Sequence, residues 1–232
     1  MMTAQAPTIP AGGLVVFDFD HTLFRGDSGS GLIGWMLRRN PLRLLIALLA
    51  SPLIAPLFLW VHARRFAISV YLWIATVGLR ERDALDVVIA EYVDRNSDDL
   101  RARLLPVGLA ALQAHRASGD QVVIATGASA VLARAILSLA MDVDVPVIGS
   151  ISGPYCGGRV TTRHCHGANK VRMLQAAGFD APIARAYSDS TADLPLLRAA
   201  REPVVVNPRQ QRIAVFRRGL GADVPMLDWG GR

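Results

Sequence analysis

Leu14-Val15-Val16-Phe17-Asp18-Phe19-Asp20-His21-Thr22 is the stretch on which the fold turns. Its first four residues form an apolar run of the kind that builds a strand buried on both faces of a parallel sheet. Asp18 and Asp20 follow where that strand ends. Side chains two apart share one face of an extended chain. Both carboxylates therefore emerge together at the carboxyl edge of the sheet, where open α/β folds place their ligands. From there they can reach one phosphate and one hard cation. Taken alone, the triplet reads more often as a solvated turn.

Three further stretches supply what the triplet needs. Gln121-Val122-Val123-Ile124-Ala125 is a second strand-like run, closed by Thr126-Gly127-Ala128-Ser129 before a helical pattern over Ala130–Ala140. A hydroxyl followed by Gly at a strand end, opening a helix, offers side-chain and backbone donors to an anion. The same residues would serve equally as an N-cap. Lys170 follows Gly167-Ala168-Asn169 and is expected to start a helix running from Val171 to Ala177; a lone Lys there is usually a surface residue. Ala184-Arg185-Ala186-Tyr187 reads as a short strand, and Asp189 and Asp193 lie four apart on the turn after it. Pro106–Ala117 reads as a core helix and Val204-Val205-Val206 as the last strand.

Four such sites in this order resemble the haloacid dehalogenase superfamily: DxDxT, a strand-end Ser/Thr, a Lys, then a pair of acids. The resemblance covers about Leu14 to Val206. It implies an α/β fold, a Rossmann-like parallel sheet of about five strands with helices on both faces. It further implies phosphoryl chemistry with Asp18 as nucleophile and Asp20 as general acid and base. Thr126, Gly127 and Lys170 would hold the phosphate. Magnesium (Mg2+) would take Asp18, the Asp20 carbonyl and Asp189, with Asp193 and Thr22 in support. About a hundred residues separate Asp20 from Thr126, and an insert at that place is the cap arrangement of the phosphoserine-phosphatase-like branch. The chain departs from phosphoserine phosphatase in its last motif, where Ser188 and Ala192 stand for a Gly and an Asn. Asp27 stands where that enzyme has a substrate-gripping Glu.

Composition singles out the insert. The chain has 232 residues, 52% of them hydrophobic, with a net charge of +6, and its mean hydropathy is +0.32. The expected division is a core of residues 14–27 and 97–232, an all-helical, strongly apolar cap over 28–96, and a loose tail over 1–13. Leu44 to Val61 runs without a charge, and a second apolar run extends from Phe66 to Leu79. Between Ser28 and Gly78 there is no Asp or Glu, yet Arg38, Arg39, Arg43, Arg64 and Arg65 lie there, with Trp35, Trp60 and Trp73. Apolar helices flanked by Arg and Trp read as a segment in or on an anionic bilayer.

Asp18 and Thr126 must meet in one site, so any crossing of a membrane must be repeated. Phe66–Leu79 is shorter than the roughly twenty residues a spanning helix needs. Pro52 and Pro56 are expected to break the first run within its apolar stretch. The expectation is a helical hairpin seated on the membrane, at the cytoplasmic face of a bacterial inner membrane; the alternative is a soluble cap whose apolar faces pack on the core. A basic, membrane-seated cap implies an anionic phospholipid substrate. Here the chain resembles the phosphatidylglycerophosphatase C family, through LRRNPLRLL, ARRFAISVYLWIATVG and SDSTADLPLL. That resemblance implies conversion of phosphatidylglycerophosphate to phosphatidylglycerol, with Asp27, Arg38, Arg39, Arg64 and Arg65 serving substrate and membrane. The other reading is a soluble cytoplasmic phosphatase of a small metabolite such as phosphoserine.

The remaining features exclude more than they add. The excess Arg lies among apolar runs and not in a polar groove, which argues against nucleic acid. Met1–Gly13 has no Lys or Arg and no apolar core, so it does not read as a signal peptide. Cys156 and Cys165 read as reduced thiols. His164-Cys165-His166 lacks further ligands at zinc spacing and reads as a loop leading to Lys170. Nothing in the sequence speaks to oligomeric state.

Overall fold

The computed structural model describes residues 12–59, 61–79, 84–142 and 144–231, the side chains of 58, 59 and 61–65 apart. Residues 1–11 of the expected tail over 1–13, Trp60 and the side chains of Arg64 and Arg65 thus lie outside the described residues.

Strand β1 (Leu14–Phe17) is central. With β2 (Gln121–Ala125), β3 (Val147–Ile148), β6 (Ile183–Ser188), β7 (Glu202–Val206) and β8 (Met226–Leu227) it forms a parallel sheet in the order β3-β2-β1-β6-β7-β8. Alternation along β1 sorts two cores. Leu14 and Val16 face Met173 and Leu174 of α8 (Ala168–Ala176), Leu196 and Leu197 of α9 (Leu194–Ala199) and Phe216 of α10 (Ile213–Leu220). Val15 and Phe17 face the other way, into the cluster that holds Leu112 of α6 (Pro106–Ala117) and Leu132 and Ile136 of α7 (Ala130–Leu137). The expected helices on both faces are present; the sheet has six strands, because two-residue strands add to each edge. Val204–Val206 is therefore not the last strand.

Between β1 and β2, ahead of α6, come α1 (Ser28–Arg39), α2 (Pro41–Ile54), α3 (Val61–Thr76), α4 (Ala84–Arg95) and α5 (Ser97–Ala102). Asp27 caps α1, its side chain accepting from the Ser30 amide. Asn40 caps α2, accepting from the Leu42 and Arg43 amides, with Pro41 at the first helical position. The first apolar run is broken within its length, as the sequence leads one to expect, but beside Pro56 and not at Pro52: α2 ends at Ile54, and Pro52 lies inside it. It sits two residues before the helix end, and a 3-10 turn over Ala55–Leu59, which holds Pro56, follows. The second apolar run is the latter part of a longer helix, α3. Leu32, Met36, Ala47, Ile74 and Ile89 of the inserted helices join the same apolar cluster as Val15 and Phe17.

An antiparallel hairpin, β4 (Ile151–Tyr155) and β5 (Gly158–Arg163), is not anticipated by the sequence reading. It grips α3. The Trp73 indole donates to the Tyr155 carbonyl (3.0 Å), the Arg159 amide to Thr76 Oγ1 (2.8 Å) and the Gly78 amide to the Gly157 carbonyl (2.8 Å). Two separate excursions from the sheet thus close on each other above it.

Among the described residues no single helix is long and apolar enough to cross a membrane; α1 and α2 pass that test only as a pair bent by 119°. Leu42, Leu45, Leu48, Leu49 and Leu53 of α2 are all exposed, Leu53 by 81%.

Candidate active site

Asp18 leaves β1 with its amide still donating to the Tyr187 carbonyl of β6 (2.9 Å), so the strand pairing carries it to the sheet edge. The next residues wind into a tight turn in which the amides of Thr22, Leu23 and Phe24 all point at the Phe19 carbonyl. Strand β6 delivers Ser188 and Asp189 to the same edge, and a 3-10 turn over Thr191–Asp193 swings Asp193 back beneath them. Lys170 lies within α8, which begins at Ala168 and not at Val171 as the sequence reading has it. Asn169 and Lys170 therefore form part of the first turn.

These elements converge on one ammonium. Lys170 Nζ donates to Asp18 Oδ1 and to Asp193 Oδ2, each at 2.6 Å. Ser188 Oγ also donates to Asp193 Oδ2, at 2.8 Å. Lys170 is 2% exposed and Asp193 1%, so charges sealed from water are stabilised by one another. Burial alone would pull the Lys170 ammonium down, but Asp18 and Asp193 together push it above its ordinary value. Burial pushes the Asp18 carboxyl well above its ordinary range; Lys170 opposes this, while Asp193 and Asp189 add to it. Three acids around one ammonium leave surplus negative charge.

That surplus bears on a metal. Among the described residues no three His, Cys, Asp or Glu side chains form a ready-made cage. Magnesium does not need one: it takes one or two carboxylates and keeps several waters. Asp193 Oδ1 is buried without a hydrogen-bond partner, and a water on a cation would supply the missing donor. Asp18, Asp189 and the Asp20 carbonyl, all oxygen donors at one strand edge, fit such an ion.

Asp20 lies beside this cluster. Its Oδ1 accepts from the Ser28 amide at 2.8 Å, so the first residue of α1 is tied to it. Burial, then the charge of Asp27, push its carboxyl up to about 7, against the pull of the Ser28 hydrogen bond. Thr126 is fully buried and its Oγ1 accepts from the Ala128 amide at 3.0 Å. With a lone pair engaged in this way, the hydroxyl proton remains for an acceptor in front. A Cβ on Gly127 would meet only the Cys165 carbonyl, at 4.0 Å, so the space before the loop is open to a ligand.

The structure thus brings Asp18, Lys170 and Asp193 into direct contact, with Asp20, Thr126 and Asp189 at the ends of the adjacent strands. Thr22 Oγ1 is buried without a hydrogen-bond partner. Asp27 carries a helix cap, which occupies one of its carboxylate oxygens (2.7 Å to the Ser30 amide). Arg39 pairs with Glu91 and lies over the Trp35 ring, 4.5 Å from its centroid, and Arg38 is exposed. Arg43 donates to the Ala75 and Val77 carbonyls at the end of α3. The sequence reading gives no role to Ser188 or Ser28. Ser188 enters it only as a departure from the phosphoserine-phosphatase motif, and Ser28 has no signal beyond following Asp27.

A family model described as haloacid dehalogenase-like hydrolase matches residues 15–198. Among solved structures, a protein of unknown function from Bordetella pertussis Tohama I is similar at 22% identity and a TM-score of 0.68, over 94% of this chain and 99% of that one. A phosphoserine phosphohydrolase-like protein from Francisella tularensis subsp. tularensis SCHU S4 is similar at 16% identity and a TM-score of 0.56, over 93% and 94%. A phosphoserine phosphatase in its apo form matches at 11% identity and a TM-score of 0.54, over 94% of each chain. At these identities the structures are alike in fold.

Proposed function

This chain belongs to the haloacid dehalogenase-like hydrolases, and we propose that it is a magnesium-dependent phosphomonoester hydrolase acting on a small phosphorylated metabolite through an aspartyl-phosphate on Asp18. The observation that carries the reading is Lys170 held between Asp18 and Asp193 beside the Thr126-Gly127 loop.

Lys170 occupies Oδ1 of Asp18, which leaves Oδ2 to attack phosphorus. The new Oδ2–P bond forms as the bond to the leaving alkoxide breaks, and Asp20 gives that alkoxide its proton. A carboxyl raised to about 7 suits this donation near neutral pH. Asp20, now ionised, takes a proton from a water that attacks phosphorus, releasing inorganic phosphate and the Asp18 carboxylate. Thr126, the Gly127 amide and Lys170 hold the equatorial oxygens as their charge redistributes. Bound through Asp18, Asp189 and the Asp20 carbonyl, magnesium would neutralise phosphate oxygens during both displacements. Asp193, fixed by Ser188, keeps Lys170 in place.

The test is phosphate release by purified protein with magnesium, from a panel of phosphoserine, other small phosphomonoesters, phosphatidic acid and phosphatidylglycerophosphate in mixed micelles. Turnover of a soluble monoester well above that of the lipids is expected. Asp20→Asn should slow alkyl phosphates far more than aryl phosphates, whose leaving groups need no proton; equal losses would remove the acid role. A second reading, a phospholipid head group as in the phosphatidylglycerophosphatase C family, is favoured by one observation, the row of exposed leucines on α2. Preference for the lipid members of the panel would put that reading first.

A further inference from the structure

Behind the Thr126–Ser129 loop lie two residues that belong to none of the motifs, Gly149 and Ser150. The Ser150 hydroxyl donates to the Gly127 carbonyl at 2.7 Å, and its amide donates to the Ala128 carbonyl at 2.8 Å. The same hydroxyl oxygen accepts from the Cys165 amide at 3.0 Å, which settles its orientation: one lone pair is taken and the proton goes to Gly127. Gly149 lets this brace come close. A Cβ there would lie 2.3 Å from the Ala130 nitrogen and 2.7 Å from the Ala128 oxygen.

The peptide between Gly127 and Ala128 is a rigid plane whose carbonyl and N–H point in opposite directions. Ser150 holds its carbonyl end, and its N–H end donates to Thr126 Oγ1 at 3.0 Å. One continuous line of hydrogen bonds therefore runs from the Cys165 amide through Ser150 and a single peptide plane to the hydroxyl of Thr126. The Ala128 amide takes one lone pair of Thr126 Oγ1, so the directions left to the Thr126 proton are narrowed from behind the loop.

We propose that Ser150 is a positioning residue for phosphate binding, acting through the Gly127–Ala128 peptide on the Thr126 hydroxyl. The proposal rests on the phosphomonoesterase reading of the site, in which Thr126 contacts phosphate. Ser150 also joins the two feet of the β4–β5 hairpin, since β4 begins at the next residue and Cys165 lies just beyond β5. The orientation of Thr126 is thereby referred to the hairpin that α3 grips.

The experiment is direct binding of inorganic phosphate by calorimetry, in magnesium buffer, to five proteins: wild type, Ser150→Ala, Ser150→Thr, Thr126→Val and the double variant Ser150→Ala with Thr126→Val. Ser150→Ala should weaken phosphate binding by about three- to tenfold, the range of one hydrogen bond. Ser150→Thr, which keeps the hydroxyl, should restore it. In the Thr126→Val background, Ser150→Ala should have no further effect, because the group it orients is gone. A role confined to stability would not produce that non-additivity. Unchanged affinity in Ser150→Ala, or the same loss with and without the Thr126 hydroxyl, would overturn the proposal while leaving the phosphatase reading intact. Wild type that binds no phosphate and releases none from any phosphomonoester would overturn that reading, and this one with it. Should Ser150→Ala prove too unstable to purify, Ser150→Cys, close in size and a weak donor, carries the same comparison.

Discussion

At the carboxyl edge of the sheet, Asp18, Lys170 and Asp193 are sealed from water. On the outward face of α2, Leu42, Leu45, Leu48, Leu49 and Leu53 are turned towards it. The two regions depart from ordinary burial in opposite directions, and they differ in what compensates them. The buried charges are compensated inside the molecule, by hydrogen bonds of 2.6 to 2.8 Å that leave one carboxylate oxygen of Asp193 for something else. Nothing among the described residues covers the leucines. The charged cluster is therefore part of how this chain folds as well as of its chemistry, whereas the α2 face contributes little to the stability of the fold that bears it.

The most forceful way to break the contrast is to remove the proposed nucleophile. Asp18→Asn should lower phosphate release by roughly a thousandfold or more while leaving the melting temperature at or above that of wild type, because surplus negative charge leaves the cluster. Substantial residual turnover in the purified variant would remove the covalent mechanism. Next in size is Lys170→Met, which leaves two buried carboxylates without their cation. Breaking a buried ion pair on one side costs about 3–5 kcal/mol, to be read from denaturant midpoints in metal-free buffer at neutral pH. Wild-type stability in this variant would mean that the cluster is not held by charge.

A smaller effect is expected from pH. In the folded, metal-free protein Asp20 titrates at about 7, against about 3.9 in an unfolded chain. The folded state thus keeps a proton that the unfolded chain releases between those values. The stability this proton confers is fully present below about 4 and is lost as pH rises through about 7. Asp20→Asn should therefore flatten the fall in unfolding free energy between pH 4 and 7; an identical slope in both proteins would mean that Asp20 is not raised. Smallest of all should be the outward face: Leu49→Gln and Leu53→Gln are each expected to change stability by no more than about 0.5 kcal/mol and to leave turnover of a soluble aryl phosphate intact. Flotation with anionic vesicles sharpens the comparison. Wild-type protein that floats, and these variants that do not, would mark the leucines as a membrane-contacting face and favour the lipid substrate.

What could be read from the chain alone was local. Leu14–Phe17, Gln121–Ala125 and Pro106–Ala117 have the sequence-read boundaries in the structure, because an apolar run ending at a charge, a Gly or a Pro carries its own signal. The order of Asp18, Asp20, Thr126, Lys170, Asp189 and Asp193 was legible for the same reason: each stands at or just after the end of a strand or the start of a helix. Tertiary structure decided the rest. Val147–Ile148 and Met226–Leu227 are strands only because β2 and β7 offer them a paired edge; two residues carry no period. The β4–β5 hairpin, rich in Gly, Thr and Arg, has no apolar alternation to announce it, and it is held by a helix that lies about eighty residues earlier. Asp27, placed by sequence analogy against a substrate, also caps α1 through one of its carboxylate oxygens, a contact that only the folded loop reveals. Ser150 looked like any loop serine, since a hydroxyl 23 residues from Gly127 in sequence gains its meaning only when the fold brings its proton within 2.7 Å of that carbonyl. Local chemistry is written in neighbouring residues, but the partner of a hydrogen bond across the fold is chosen by packing, which the chain specifies only as a whole.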